Sequence, residues 1–402
     1  MTARYTTLRL IPPSIWVLGG VSMLMDISSE LIHGLLPVFL VSTLGASAFS
    51  VGLIEGAAEA TALIVKVFSG TLSDVLGRRK VLVVFGYGLG AVAKPLFALA
   101  TSPGFVLTAR LVDRVGKGVR GAPRDALVAD LAPAHLRGAC YGLRQALDSA
   151  GAFVGPLLAI VLMLTWAGDI RAVFWVAVLP AVLAVTLLLV GVQEPPPAPT
   201  DTPRDAPLHW HRLQSLSREY WWVVVAGGVL TLARFSEAFL ILRAQQGGLA
   251  LAWAPLVLVL MNAVYALAAY PAGKLADHMN HYTLLGVGLI CLLVADVVLA
   301  QRSHLAWMAV GVGLWGLHMA LTQGLLATMV ADTAPEALRG TAFGCFNLVS
   351  GLAMLLASAL AGWLWDTLGA QVTFSAGALF ALVSVGILAV RRHKTLHAVR
   401  GR

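Results

Sequence analysis

The sequence predicts an all-α, polytopic membrane protein with twelve transmembrane helices arranged as two pseudo-symmetric six-helix bundles. Of its 402 residues, 58% are hydrophobic and only 12% are charged, and the mean hydropathy is +0.83. A soluble domain carries about 25% charged residues, whereas twelve bilayer spans of about 20 residues need roughly 240 apolar positions. This composition excludes soluble enzymes and disordered chains, and it indicates a lipid bilayer as the surrounding solvent.

Twelve apolar segments long enough to cross a bilayer recur along the chain. They are predicted at 14–41, 48–73, 80–101, 103–130, 138–165, 170–192, 220–244, 251–273, 281–301, 304–332, 340–366 and 371–391. The first segment follows the basic residues Arg4 and Arg9, an arrangement that is also typical of the apolar region of a signal peptide. However, it is too long for a signal sequence and contains Asp26 and Glu30, so we expect it to be retained as the first span.

A polar stretch rich in Pro, Asp and Arg separates the sixth and seventh segments. It begins at Gln193, and its composition is typical of an aqueous linker. We therefore predict an N-terminal six-helix bundle at 1–192, a cytoplasmic linker at 193–219 and a C-terminal six-helix bundle at 220–402.

An internal repeat supports this division into halves. Seven of the ten residues at 129–138 reappear at 331–340, an offset of 202, and Gly70 and Asp74 recur as Gly273 and Asp277. Two matches at nearly half the chain length predict that the two halves have similar structures.

The distribution of Lys and Arg predicts that both termini are cytoplasmic. Sixteen of the 28 basic residues then lie on the cytoplasmic side, and only Arg171, Arg243 and Arg302 fall near the opposite side. The same asymmetry accounts for the formal net charge of +8, so we expect no nucleic-acid partner.

Neither a disulfide framework nor a nucleotide-driven pump is indicated. Cys140, Cys291 and Cys345 lie in apolar stretches without paired spacing. The sequence contains no phosphate-binding loop, so the energy for any transport must come from an ion gradient. We expect no cofactor.

The segment between the second and third predicted spans carries a family signature. Gly70, Asp74, Gly77, Arg78 and Arg79 occupy the glycine, aspartate and basic positions of G-x-L-(A/S)-D-x-x-G-R-(R/K). These residues resemble the signature motif of the major facilitator superfamily. The resemblance to this family extends over essentially the whole chain. The resemblance implies a secondary transporter rather than an enzyme, with this motif acting as a gating element on the cytoplasmic side.

Two further motifs bear on ion coupling and on the direction of transport. Arg110 matches the family's fourth-span arginine, which the resemblance links to proton coupling. Gly151, Gly155 and Pro156 look like the fifth-span motif associated with antiporters, although two later glycines of that motif are replaced. This likeness favours export, while ordinary helix packing is the alternative explanation for these residues.

The first half also carries many ionisable residues inside predicted spans. Asp26, Glu30 and His33 lie at i, i+4 and i+7 of the first span and therefore share one helical face. The remaining candidates for proton coupling or for the lining of a cavity are Glu59, Arg110, Asp113, Arg114, Lys117, Arg144 and Asp148. A charge in hydrocarbon costs about 2.5–3.5 kcal/mol on insertion scales, so such residues usually face a cavity or a partner.

We predict that Asp26, Glu30 or Glu59 binds and releases a proton, with Arg110 or Arg114 changing the proton affinity. The alternative is that these groups form static ion pairs that hold helices together.

Asp26, Glu30 and His33 are also candidate ligands for a divalent metal such as Ni²⁺, Fe²⁺ or Zn²⁺. One helix can readily offer only two of them to a single ion, so other spans would have to supply the remaining ligands. The charged stretch at 113–127 resembles a prokaryotic subgroup that includes metal-resistance exporters, which keeps this alternative open.

The second half is poorer in intramembrane charge. Arg234, Glu237 and Asp296 are nearly its whole complement, and residues such as Trp315 are predicted to supply an apolar and aromatic wall.

Together these features predict a proton-coupled secondary active transporter that exports a small molecule by alternating access. Export of a divalent metal ion or metal chelate, and proton-coupled uptake of a metabolite, are the alternatives. The expected partners are a small-molecule or ion substrate, protons and the lipid bilayer. We expect a monomer of the prokaryotic inner (cytoplasmic) membrane.

Overall fold

The computed structural model describes residues 10–76, 78–194, 215–301, 304–335 and 338–400. Side chains are described at these positions except at 71, 74, 75, 134, 277 and 390–400.

The described residues form twelve long helices, of which α6 and α7 are each interrupted once. They are α1 (Pro13–His33), α2 (Ala48–Leu76), α3 (Arg79–Leu99), α4 (Pro103–Leu131), α5 (Arg137–Thr165), α6 (Ile170–Val176 and Val178–Gly191), α7 (Arg218–Ala233 and Ala238–Gln246), α8 (Leu256–His278), α9 (His281–Gln301), α10 (Leu305–Thr333), α11 (Arg339–Leu368) and α12 (Ala370–Arg400). Short helical turns occupy Leu36–Val38, Phe39–Thr43, Ala134–Leu136 and Leu251–Trp253. The predicted all-α fold is confirmed.

Eleven helices of the described chain are long and apolar enough to cross a membrane. The exception is α4, which has 29 residues and is therefore long enough. Its many basic and acidic side chains lower its mean hydropathy below that of an ordinary span. A helix of this kind is stable in a bilayer only where neighbouring helices satisfy its charges.

Several helices begin at a polar residue that caps the first turn. The side chains of Ser102, Asp169 and Ser217 accept hydrogen bonds of 3.3, 3.1 and 3.1 Å from the backbone N–H three residues further on. Such caps satisfy donors that the first turn of a helix leaves without an intrahelical partner.

The chain divides into two compact units. Unit 1 consists of Met1–Leu36 and Thr61–Pro207, and unit 2 consists of Pro37–Ala60 and Leu208–Arg402. Helix α2 therefore begins in unit 2 and ends in unit 1. The predicted bundles at 1–192 and 220–402 stay a prediction, and residues 195–214 of the predicted linker lie outside the described part of the chain.

In unit 1, close helix contacts depend on glycine. Helices α3 and α4 approach at Gly86 and Gly116, where a Cβ on Gly116 would lie 2.6 Å from the carbonyl oxygen of Gly86. Helix α1 packs against α5 and α6, and buried residues such as Leu18 and Val83 contribute to the core of this unit. Small residues allow helix backbones to approach closely inside a bilayer.

In unit 2, the first turn of α2 is capped from α11. The two carboxylate oxygens of Asp366 accept hydrogen bonds from the backbone N–H groups of Ala48 and Phe49, at 2.9 and 2.8 Å. Gly362, one turn earlier on α11, permits this approach, because a Cβ there would lie 2.5 Å from the carbonyl oxygen of Ala48. The first turn of α2 is thus capped by Asp366, a residue of unit 2 that is distant in sequence.

Candidate functional site

Helix α1 presents Asp26, Glu30 and His33 in unit 1. Nδ1 of His33 lies 3.5 Å from Oε2 of Glu30, and these two side chains are 18% and 22% exposed. Helix α5 reaches the same side of α1 through glycines. A Cβ on Gly151 would lie 3.0 Å from Cβ of Asp26, and one on Gly155 would lie 2.8 Å from Cβ of Glu30. The antiporter-like glycines therefore bring α5 against α1 at the two carboxylates.

Asp148 of α5 meets Asp26 of α1 at this contact. The two carboxyl groups lie within hydrogen-bonding reach of each other. Asp26 is partly buried and the Asp148 side chain is 22% exposed, so neither member of the pair is completely closed off from solvent. Two ionised carboxylates at such a separation repel each other, and one proton held between them removes the repulsion. The pair is therefore suited to binding a proton.

Helix α4 surrounds these carboxylates with positive charge. Lys117 acts electrostatically on both Asp26 and Glu30. Arg120 acts on Asp26, and Arg114 acts on Glu30. Both arginines are only 5% exposed, so water screens their charges poorly. The site thus combines carboxylates from α1 and α5 with basic groups from α4.

Two uncharged side chains, Tyr87 and Ser22, contact the basic groups and were not predicted from the sequence. Cζ of Arg120 lies 4.7 Å from the centre of the Tyr87 ring, a cation–π geometry. The Tyr87 hydroxyl is hydrogen bonded to Oγ of Ser22 at 3.1 Å, and Ser22 accepts a bond of 3.3 Å from Arg124. Since Ser22 lies four residues before Asp26, extending the charged stripe of α1 by one turn would have found it.

Asp148 also belongs to a looser cluster with Arg124, Asp125 and Arg144. Oxygens of Asp148 lie 3.9 Å from Arg124 and 3.8 Å from Arg144. Oδ1 of Asp125 lies 3.2 Å from Arg124 and 3.9 Å from Arg144. The contacts of Asp148 are longer than good charge-assisted hydrogen bonds. Asp148 is therefore near two arginines without being fixed by either.

By contrast, Asp113 is held tightly by Lys94. Nζ of Lys94 lies 2.7 Å from Oδ1 of Asp113, and the two side chains are 1% and 6% exposed. The same ammonium group donates a 3.0 Å hydrogen bond to Oγ of Ser29 on α1. Arg110 and Arg114 also act on Asp113. This geometry favours the static ion-pair explanation for Asp113.

Glu59 lies in the part of α2 that belongs to unit 2, and its side chain is partly buried. Glu55, one turn earlier, is 1% exposed. The structure therefore places Glu59 in a different compact unit from Asp26 and Glu30. Its suggested role in proton binding stays a prediction.

The gating motif makes local contacts within unit 1. Nη1 of Arg79 lies 2.6 Å from Oδ2 of Asp130 at the end of α4. The carboxylate of Glu194, which follows α6, accepts a hydrogen bond from the backbone N–H of Arg79. Nζ of Lys80 donates to the carbonyl oxygen of Leu189 at 3.0 Å. The basic end of the motif thus joins α3 to the ends of α4 and α6.

The other motif residues contribute less to the described contacts. A Cβ on Gly70 would meet Cβ of Ala122 at 3.4 Å, an ordinary contact, and Arg78 is exposed. Gly77 and the side chain of Asp74 lie outside what the structure describes.

The candidate metal ligands do not form a metal centre in this arrangement. Among the residues that the structure describes, no group of three or more His, Cys, Asp and Glu side chains is placed to hold an ion. Asp26, Glu30 and His33 share a helix face, but no further described ligand of these types completes a site.

The sequence profile of the Major Facilitator Superfamily matches residues 18–357 and 238–401. The chain belongs to this family. An uncharacterised MFS-type transporter of Methanocaldococcus jannaschii is 31% identical over 387 residues, which cover 94% of each chain. The quinolone resistance protein NorA of Staphylococcus aureus is 28% identical over 142 residues, 35% of this chain and 36% of NorA.

The fold is also that of solved MFS transporters. The crystal structure of a point mutant of the nucleoside transporter NupG superposes with a TM-score of 0.81 at 12% identity, covering 94% of this chain and 99% of NupG. The resemblance drawn from the signature motif is thereby confirmed, and the protein is a multi-pass membrane protein of a transporter family. Within this MFS transporter, unit 1 carries the densest group of described ionisable residues.

Proposed function

We propose that this MFS transporter exports a small molecule across the prokaryotic cytoplasmic membrane, coupled to proton movement, by alternating access. The observation that carries the proposal is the contact between the carboxyl groups of Asp26 and Asp148. A carboxyl pair beside several basic groups can change its net charge by one unit when a proton binds or leaves.

The neighbours of Asp148 supply a route for the proton cycle. When the pair holds a proton, Asp148 stays beside Asp26. When the proton leaves to water, Asp148 becomes free to shorten its contacts with Arg124 and Arg144, now 3.9 and 3.8 Å long. Lys117 and Arg120 then balance the charge that remains on Asp26. Proton release would thus replace the Asp26–Asp148 contact between α1 and α5 by closer contacts of Asp148 with Arg124 of α4 and Arg144 of α5.

The other predicted residues take supporting roles. His33, Arg114 and Lys117 balance the charge of Glu30. The Lys94–Asp113 pair fixes α3 to α4, and Arg110 adds positive charge beside it. We propose that α4 keeps its exceptional charge because these groups hold the proton site in a fixed electrostatic environment.

Two observations support export over uptake. The glycines of the antiporter-like motif bring α5 to the carboxylates of α1, which links that motif to the proton site. NorA, which resembles part of this chain, is named for resistance to quinolones. We also propose that the protein acts as a monomer with both termini in the cytoplasm, as the basic residues indicate.

A growth assay tests direction and substrate class together. The transporter is expressed in a sensitive bacterial host and exposed to a panel of lipophilic drugs, metabolite analogues and divalent metals. We expect higher tolerance to particular organic compounds, and loss of that tolerance in Asp26→Asn and Asp148→Asn. Asp169→Asn is the matched control, because Asn caps a helix as well as Asp does and Asp169 lies outside the site.

The alternatives give different results in the same assay. Tolerance to one or two divalent metals that disappears in His33→Ala would replace small-molecule export with metal export. Increased sensitivity through accumulation of a toxic metabolite analogue would indicate uptake.

A further inference from the structure

Unit 2 contains a buried carboxylate that the proposed mechanism does not use. Asp296 of α9 is 0% exposed, and neither of its carboxylate oxygens has a hydrogen-bond partner among the described residues. Burying an unpaired charge in an apolar region is strongly unfavourable, and proteins usually avoid it by pairing or neutralising the group. Asp296 therefore requires a ligand or a proton.

The surroundings of Asp296 are aromatic and closely packed. Oδ2 of Asp296 and Cε1 of Phe235 both face Gly377 of α12, where a Cβ would lie 2.6 and 3.0 Å from these atoms. The Phe235 ring in turn lies 5.3 Å from the ring of Trp315 and 5.4 Å from that of Phe374, measured between centroids. Glycine at 377 thus leaves space for a carboxyl group that any larger residue would displace.

The backbone beside this carboxyl is not helical. Helix α7 is interrupted between Ala233 and Ala238, and Phe235 lies in the interruption. Oγ of Ser358 on α11 accepts a hydrogen bond of 3.1 Å from the backbone N–H of Ser236, which satisfies one of the groups that the break frees. Non-helical backbone at membrane depth occurs where it is buried in protein or lines a functional cavity, as in the discontinuous helices of transporters.

A hydrogen-bond donor without an acceptor among the described residues lies at the same height along the α9–α10 helix pair as Asp296. Leu299 of α9 lies over Gly311 of α10, and Gly288 faces Thr322. These contacts define an antiparallel pair in which Asp296 is level with Trp315. The indole Nε1–H of Trp315 is buried and has no acceptor among the described residues. A donor and an acceptor therefore both lack partners beside the same Phe235 ring.

The available space decides which ligand fits. Asp296 is 0% exposed, and a Cβ on Gly377 would already lie 2.6 Å from its Oδ2, so the packing on this side of the carboxyl leaves no room for even one added methyl group. An organic substrate is too large. A hard metal cation prefers six or more oxygen ligands, and the described residues form no group of three or more His, Cys, Asp and Glu side chains that could hold one here. A proton requires no additional ligand.

Other ionisable groups near the site do not neutralise Asp296. His318 of α10 is about one helical turn away, and its Nδ1 lies 2.8 Å from the carbonyl oxygen of Gly288. Arg234 and Glu237 flank Phe235 in the break, and Arg234 acts on His318. Tyr265 is the titratable group of α8 nearest this level, and α12 carries no ionisable side chain between 370 and 389. No ion pair joins any of these groups to Asp296 in the described structure.

We propose that Asp296 is a second proton-binding site, located in unit 2, and that Trp315 is its positioning residue. The carboxyl is protonated in the packed arrangement described here. A small rotation of α10 against α9 at the Gly288 and Gly311 contacts brings the Trp315 indole N–H to Asp296. The proton then leaves to water, and the carboxylate keeps the electron pair and accepts the indole hydrogen bond.

Infrared spectroscopy of the purified protein in lipid tests this site without any substrate. A protonated carboxylic acid in apolar surroundings gives a separate C=O stretching band, and we expect one band to be lost in Asp296→Asn but kept in Asp366→Asn. Trp315→Phe should keep the band at a pH at which the wild type has lost it, because the ionised form lacks its donor. Gly377→Ala should shift the band by displacing the carboxyl.

The spectrum contradicts the proposal if folded Asp296→Asn keeps every carboxylic-acid band of the wild type. The role in transport rests on the proposed export function and is measured separately. With an identified substrate in proteoliposomes, Asp296→Asn should lower the number of protons moved per substrate by one, and an unchanged number overturns the coupling role. If the wild type exports nothing, the export proposal fails while the infrared result still decides whether Asp296 binds a proton.

Discussion

Lys94 and Asp113 form a buried ion pair whose geometry favours a structural role over ion coupling. Their 2.7 Å contact is almost completely buried. Removing one partner leaves the other charge unpaired, which typically costs about 3–5 kcal/mol, whereas replacing both with apolar residues is often neutral. The spacing of the sequence could not separate this locked pair from the freer Asp26 and Asp148, because pairing depends on which helices meet.

Lys94→Met and Asp113→Leu should each lower the thermal stability of the purified transporter strongly, by about 3–5 kcal/mol. The double variant should recover most of that loss and should still export substrate. Thermal unfolding followed by size-exclusion chromatography measures the stability. A stable double variant without transport would instead assign this pair to coupling.

At the scale of single helices, glycine determines where charged faces meet. The antiporter-like residues were recognised in the sequence, but two explanations, direction of transport and helix packing, remained open. The structure places Gly151 and Gly155 against the carboxylate-bearing face of α1. Close helix packing therefore accounts for these two glycines and also brings α5 to the candidate proton site, while the direction of transport stays a prediction.

Gly155→Ala should force α5 away from α1, because the new Cβ would lie 2.8 Å from Cβ of Glu30 and 2.9 Å from the carbonyl oxygen of Ile27. Such overpacking typically costs about 1–3 kcal/mol. Gly142→Ala on the same helix is the matched control, since nothing lies within 4 Å of its Cβ position. We expect lower thermal stability and slower export for Gly155→Ala only; equal behaviour of the two variants would argue against a close contact.

Asp366→Ala should loosen the first turn of α2, because Ala48 and Phe49 lose their backbone acceptors. Loss of a helix cap costs about 0.5–2 kcal/mol, and Asn retains much of the capping ability. Hydrogen–deuterium exchange should therefore increase at Ala48–Ser50 in Asp366→Ala and much less in Asp366→Asn. Unchanged exchange in both variants would mean that this cap does not hold α2.

For the whole molecule, composition and periodicity were sufficient to predict the all-α fold, since bilayer thickness fixes the length of a span. The cap that Asp366 gives to Ala48, 318 residues away, has no local signal, because the residues around each of them do not mark the two as partners. The two compact units also could not be derived from chain order, as Pro37–Ala60 groups with the second half of the sequence. The charged stripe of α1 and the candidate Asp148 were both predicted from the sequence, while the pairing of Asp26 with Asp148 became evident only from the packing of α5 against α1.

The central claim is that the Asp26–Asp148 pair binds the proton that drives export. The most direct measurement is substrate movement in proteoliposomes under an imposed pH gradient, with substrate exchange at equal pH recorded in parallel. We predict that Asp26→Asn and Asp148→Asn abolish pH-driven transport but retain exchange, because exchange requires no net proton movement. Full pH-driven transport in both variants would contradict the account.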